Sequence, residues 1–296
     1  MTGTPSPERW AIDISLMLNA VLGKDRFPVD VALVAKEYST QRYPDDPVSL
    51  VVGRSLPGFD GALYRAPAGK KGWGIFYNSA IASTGRMNFT LGHEFGHYLI
   101  HRLAYRDGLQ CGEQDVVRWD SEYGQIEHQA NVFSAGLLMP LDDFRRQIPE
   151  RDKVDLDMPS HCADRYRVSL IAAVLRWLQY TQRRAVLVVS REGFILWSRA
   201  SGPALKTGAF FRTSGPPIAI PSASLASCQD MIIDGRAGVA LPAGVWFPEP
   251  VREMTIFSEQ YDFAVTLLLL ENEYRYTRFD SGPEEDVYDR FVSGSR

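Results

Sequence analysis

Near the start of the chain apolar residues recur at Trp10, Ile14, Met17, Leu18 and Val21, three and four positions apart, which predicts an amphipathic helix over 10–22. After Pro28 a second helix is predicted over 29–38, followed by a short strand at Val48–Val52. The Gly- and Pro-rich stretch from 55 to 74 reads as loops around a short strand near Ala62–Tyr64, and Trp73–Tyr77 as a strand stopped by Asn78 and Ser79. Helical spacing returns from Thr84 to Tyr105, with Asp107-Gly108 as a stop signal, and 106–123 reads as an irregular loop. A further helix is predicted over Gln125–Met139; Pro140 ends it and can open another through Arg146. Residues 160–180 read as two short helices around Val168-Ser169. Beyond Arg184 the period falls to two, with one hairpin over Val186–Val189 and Phe194–Trp197 and another over Met254–Phe257 and Phe263–Leu270. The tail from Ser281 is expected to fray.

This order of elements predicts an α+β chain in three parts: an N-terminal domain over 1–150, a helical, helix-turn-helix-like segment over 151–184, and a β-rich C-terminal domain over 185–296. With 296 residues, 45% of them hydrophobic and 23% charged, composition excludes wholesale disorder and fibrous repeats. The net charge of −4 argues against an overall electrostatic grip on nucleic acid or an anionic membrane. No apolar run approaches the roughly 20 residues that span a bilayer. Met1 to Trp10 lacks the pattern of a secretory signal, so a cytoplasmic address is expected. Cys111, Cys162 and Cys228 are odd in number and widely spaced, which suits reduced thiols.

The chemistry concentrates in Thr90-Leu91-Gly92-His93-Glu94-Phe95-Gly96-His97, a His-Glu-x-x-His on a predicted helix. Four residues advance a helix by about 400°, so His93 and His97 lie about 40° apart on one face and can grip one metal ion. Glu94 stands beside a ligand in sequence and can act on the attacking water without being a ligand itself. The pattern with a third histidine six residues after the second is excluded, because Ile100 and Leu103 occupy its Gly and His positions. His101 lies near the same stripe but too far along one straight helix to close a tetrahedron, and is expected to be a partly exposed helix-end residue. A carboxylate from the second helix is the remaining solution. Glu127 is well placed, with Ala130, Asn131 and Ser134 small enough to let that helix approach, while Glu113 and Glu122 are rivals expected in the loop. Asn131, one turn after Glu127, could hydrogen-bond a ligating histidine.

The run Arg86-Met87-Asn88-Phe89 leading into that motif, Gly74-Ile75-Phe76-Tyr77-Asn78 before it, and Glu127-His128-Gln129-Ala130-Asn131-Val132-Phe133 and Leu137-Leu138-Met139-Pro140 after it resemble the ImmA/IrrE family of metallopeptidases over about residues 55–180. The resemblance implies a gluzincin-like, zincin-type domain with His93, His97 and Glu127 as ligands of one Zn2+ per chain, Mn2+ being the alternative ion, and Glu94 as general base. It also implies a substrate class: DNA-binding repressors, typically of the helix-turn-helix kind, or antitoxins, cleaved to switch on stress or mobile-element genes. The chain departs from the pattern at Gln129, where many members carry an acidic or similar residue, and at Ser134, where Ala is usual.

The expected activity is zinc-dependent endoproteolysis of a cytosolic protein. By analogy with zinc peptidases, Trp73, Gly74, Ile75, Phe76 and Tyr77 would form a strand that lines the cleft and pairs with an extended substrate. Tyr77, His128 and Tyr98 are candidate donors to the oxyanion. The helix-turn-helix-like segment is expected to pack rather than bind DNA, because Asp155, Asp157 and Asp164 offset Arg165, Arg167 and Arg176. The reading from another class is a non-catalytic regulator that binds a repressor or DNA and whose metal only holds the fold.

Overall fold

A computed structural model of the chain describes residues 5–56, 58–111, 122–227, 235–258 and 262–271. The architecture is α+β, with eight α-helices and two sheets among the described residues and a β-rich C-terminal part. The expected fraying from Ser281 and the environments of Glu113 and Cys228 lie outside the described residues.

Helix α1 (Pro7–Leu22) starts where Ser6 accepts a hydrogen bond from Arg9 N at 3.3 Å, with proline in the first turn, where its missing N–H costs nothing. Trp10, Ile14 and Leu18 are buried as the spacing predicts. Val21 is 74% exposed, because the helix ends one residue later and Gly23, at φ 82°, turns the chain away. Helix α2 (Val31–Arg42) is capped by Asp30, which accepts from Leu33 N at 3.0 Å.

The first sheet holds β1 (Val48–Arg54), β2 (Gly61–Arg65), β3 (Trp73–Asn78) and β4 (Gly108–Cys111) in the order β1-β3-β2-β4. β3 runs parallel to β1 and antiparallel to β2, so both its edges are already hydrogen-bonded. This corrects the expectation that Trp73, Gly74, Ile75, Phe76 and Tyr77 pair with substrate: a strand with two partners has no free ladder to offer. The strands of this sheet with one neighbour each are β1 and β4, and β4 falls where a loop was predicted.

Helix α3 (Thr84–Ile100) carries the motif and is capped by Ser83, which accepts from Arg86 N at 3.2 Å. It stops at Ile100, short of the predicted Tyr105, and the chain continues in turns. Helix α4 (Glu122–Leu138) follows, so Glu122 opens a helix rather than lying in a loop; Pro140 separates α4 from α5 (Leu141–Gln147). α3 is enclosed on two faces. On one, a Cβ on Gly61 of β2 would lie 2.5 Å from Glu94 Oε1 and 2.6 Å from Thr90 Cγ2. On the other, a Cβ on Gly92 would lie 2.5 Å from Ser134 Oγ, and one on Gly96 would lie 3.0 Å from the Phe133 ring and 3.2 Å from Ala130 Cα. Absent side chains at 92 and 96 are thus what allow α3 and α4 to touch backbone to backbone.

Helices α6 (Asp157–Tyr166) and α7 (Leu170–Leu178) are joined at Arg167, which takes the left-handed conformation at φ 51°. Their turn rests on the N-terminal part of α3. Asn88 Nδ2 donates to Tyr166 O at 3.4 Å and Arg167 O at 3.3 Å, and a Cβ on Gly85 would lie 2.7 Å from the Val168 carbonyl carbon. Arg165 pairs with buried Asp143 at 2.9 Å and Arg176 Nε donates to Met139 O at 2.8 Å, so of Arg165, Arg167 and Arg176 two are committed internally.

The second sheet is antiparallel throughout, in the order β6-β5-β9-β8-β7, from β5 (Ala185–Arg191), β6 (Phe194–Ala200), β7 (Val239–Leu241), β8 (Val251–Ser258) and β9 (Phe263–Leu270). A short helix α8 (Gly202–Lys206) follows β6. Ala185, Leu187, Leu267 and Leu269 join Trp177 and Tyr180 in the core that also holds α1 and α3, while Val186, Val188, Leu268 and Leu270 pack on the other face with Trp246 and Phe247. Cover on both faces explains why β5 and β9 are nearly continuous apolar runs instead of alternating ones. The one polar residue inside the β9 run, Thr266, bonds Thr255 of β8 through the hydroxyls at 2.9 Å. Cys162 is a free, buried thiol, and burial pushes its pKa up to about 12.

Candidate metal centre

His93 and His97 project from the same side of α3 toward Glu127 in the first turns of α4. His93 Nε2 lies 3.1 Å from Glu127 Oε2, His97 Nε2 lies 3.2 Å from Glu127 Oε1, and the two Nε2 atoms are 2.9 Å apart. All three residues are buried. They form the one group of three or more His, Cys, Asp or Glu found, among the described residues, with donor atoms close enough to hold a metal ion.

The outer nitrogens of both imidazoles are held as well. His93 Nδ1 is 2.9 Å from Asn131 Oδ1, the contact expected one turn after Glu127. His97 Nδ1 is 3.0 Å from His101 Nδ1, and His101 Nε2 is 2.9 Å from Gln129 Oε1. His101 is therefore buried beneath the cluster, not partly exposed as expected, and it points at a ligand's far side rather than at the metal position. The i, i+4 spacing from His97 to His101 was the available signal for this contact; that Gln129 completes it depends on how α4 crosses α3.

Burial sets the charge pattern. It opposes charge on His97 and lowers its pKa to about 4, so that imidazole is neutral near pH 7. Burial also opposes charge on His93, but the hydrogen bond to Glu127 and the negative charges of Glu94 and Glu127 outweigh it, and the net shift is upward. For Glu127 burial would raise the pKa, yet its close polar contacts with the two imidazoles outweigh burial and hold the carboxyl well below its usual range. A carboxylate and a neutral imidazole with its outer nitrogen engaged are the forms in which these groups donate to a divalent cation.

Glu94 lies on the same helix, fully buried, with its carboxylate occupying the space left by the missing side chain of Gly61. Gly61 was not singled out in the sequence, where it is one glycine in a glycine-rich stretch. Among the candidate oxyanion donors, Tyr98 is not brought to the cluster: its hydroxyl donates to Asp46 O at 2.7 Å and its ring packs against Phe95 and Tyr43. Tyr77 pairs with Gly61 across β2 and β3, which puts both on the same face of the sheet, and its ring covers Gly53. His128 is exposed, one residue beyond Glu127.

Two histidines four apart on one helix, a carboxylate from a second helix and a further glutamate between the histidines define a metallopeptidase type of site. Residues 49–178 match the family model of Peptidase_M78, the IrrE N-terminal-like domain, so this segment of the chain is similar to that family of metallopeptidases. The match begins within β1 and ends at Leu178, the last residue of α7. No curated protein matches the chain. The donor set fits the metal that such a family implies: three oxygen and nitrogen donors converge, and each imidazole is oriented by a partner on its outer nitrogen. Among the described residues no helix is long and apolar enough to cross a membrane.

Proposed function

We propose that the chain is a zinc-dependent endopeptidase of the cytoplasm that cleaves a DNA-binding transcriptional repressor or an antitoxin and so derepresses stress or mobile-element genes. The observation that carries the reading is the convergence of His93, His97 and Glu127 with Glu94 one residue away on the same helix, inside a segment similar to a metallopeptidase family. Two imidazoles and one carboxylate favour Zn2+, with Mn2+ as the alternative. When bound, the metal supplies Lewis-acid polarisation of the scissile carbonyl and of the attacking water. Glu94 takes a proton from that water as its oxygen bonds to the carbonyl carbon, then delivers the proton to the amide nitrogen as the C–N bond breaks. Asn131 and His101 keep the two imidazoles turned inward. Tyr77 and His128 are the remaining candidates to donate to the oxyanion.

Internal engagement of Arg165 and Arg176 supports a protein partner over direct nucleic-acid binding by the α6–α7 segment. The test compares cells producing the wild-type chain with cells producing Glu94→Gln and maps newly formed protein N-termini by mass spectrometry. A new terminus within a helix-turn-helix repressor or an antitoxin, present only with the wild type, is the expected result. Derepression of the same genes by both forms without any new terminus would replace the peptidase by a regulator that only binds its partner.

A further inference from the structure

We propose that His101 and Gln129 form a relay that fixes the tautomer of His97, so that His97 presents a bare Nε2 to the metal; this rests on the reading of His93, His97 and Glu127 as ligands. The logic starts at the amide. A carbonyl oxygen only accepts, so Gln129 Oε1, 2.9 Å from His101 Nε2, places a hydrogen on that nitrogen. A neutral imidazole carrying its hydrogen on Nε2 has a bare Nδ1. That Nδ1 lies 3.0 Å from His97 Nδ1, which must then bring the hydrogen and leave its own Nε2 with a lone pair. This Nε2 is the atom that faces Glu127 and His93. Turned the other way, the relay would put a hydrogen on His97 Nε2, where a cation needs the lone pair.

The two ligands thus receive the same instruction by different routes. His93 gets it in one step from Asn131 Oδ1 at 2.9 Å, one turn beyond Glu127 on α4. His97 gets it in two steps, through an imidazole held on its own helix: the backbone N–H of His101 donates to His97 O at 2.8 Å, and the rings lie with centroids 5.1 Å apart. Because His97 is wholly buried, water cannot supply the missing acceptor. His101 and Gln129 are positioning residues: they act on the metal through His97 and touch no reacting atom.

The experiment measures zinc affinity by competition with a chromophoric chelator for the full-length chain and for His101→Leu, His101→Asn and Gln129→Leu. Circular dichroism of the metal-free proteins checks that each is folded. Loss of a partner behind a metal-bound histidine typically weakens metal binding about 10- to 100-fold, the loss expected for His101→Leu. Asn at 101 can place its carbonyl oxygen where Nδ1 was, so His101→Asn should recover most of that affinity. Gln129→Leu leaves the imidazole but removes its orientation, and should fall between His101→Leu and the wild type. In the zinc-loaded wild type, long-range 1H–15N spectra should show His101 with its hydrogen on Nε2. Wild-type affinity in His101→Leu, no advantage of Asn over Leu, or a His101 hydrogen on Nδ1 would each overturn the relay. Failure of the underlying reading looks different: the wild-type chain would take up no zinc, or Glu127→Ala would keep it.

Discussion

Glu127 and Glu253 are both carboxylates withdrawn from water, and they are satisfied in opposite ways. Glu253, on β8, is fully buried and surrounded by permanent donors: Ser224 Oγ at 2.7 Å, Trp246 Nε1 at 2.7 Å and Thr255 Oγ1 at 2.9 Å. A hydroxyl or an indole N–H can always give a hydrogen, so this carboxylate is complete as it stands and ties two loop segments to the second sheet. Glu127 faces two imidazole nitrogens, each able to give a hydrogen or offer a lone pair. The difference separates a carboxylate that pins a fold from one placed for the proposed cation: what counts is whether the partners can release their hydrogens.

The comparison can be pressed by substitution. The largest effect should come from Glu94→Gln, which keeps the shape of a buried side chain but removes the proton acceptor. Peptide-bond cleavage, followed as release of new N-termini from a protein substrate, should fall about 10²- to 10⁴-fold with metal content unchanged. Glu253→Ala should cost about 3 kcal/mol or more in urea unfolding, because buried donors on Ser224, Trp246 and Thr255 lose their acceptor, and should leave zinc stoichiometry alone. Glu127→Ala should do the reverse. The stabilisation of about 2.7 kcal/mol that zinc confers on the wild type at 100 times its Kd should vanish, while the metal-free stability changes by less. A large loss of metal-free stability in Glu127→Ala would erase the distinction. The smallest effect is expected from Gly61→Ala. Its new methyl meets Thr90 Cγ2 as well as Glu94, so Glu94 must shift and α3 must give way slightly: cleavage should drop about 10-fold, with a modest fall in the melting midpoint.

What was legible in the sequence follows the range of the interactions. α3 could be read because its period, its cap at Ser83 and its paired histidines all lie within 17 residues, and α4 because Pro140 marks its end. Asn131 followed from one-turn spacing alone. By contrast, β4 is four residues opened by a glycine and exists because β2 offers it an edge, so no local alternation announced it. That β3 is an inner strand is a property of strand order, which the apolar pattern of Trp73–Tyr77 does not contain. Glu253 lies one residue before the predicted start of the second hairpin at Met254, and its donors lie up to 29 residues away, beyond the reach of a local pattern. His101 showed its spacing but not its depth, which depends on Gln129 arriving from another helix.

The seam between α3 and α4 also constrains how this chain can diverge. Gly92 and Ser134 share a space that holds one side chain, and Gly96 shares another with Phe133 and Ala130. A lineage that acquires alanine at 92 while keeping serine at 134 pushes the two ligand-bearing helices apart and pulls Glu127 off His93 and His97. One that first trades Ser134 for glycine can accept alanine at 92 afterwards at little penalty. The order of steps matters, because alanine at 92 first must drive Ser134 Oγ from its bond to Phe89 O at 2.9 Å, so inheritance at these two positions should run in pairs even though neither residue holds the metal.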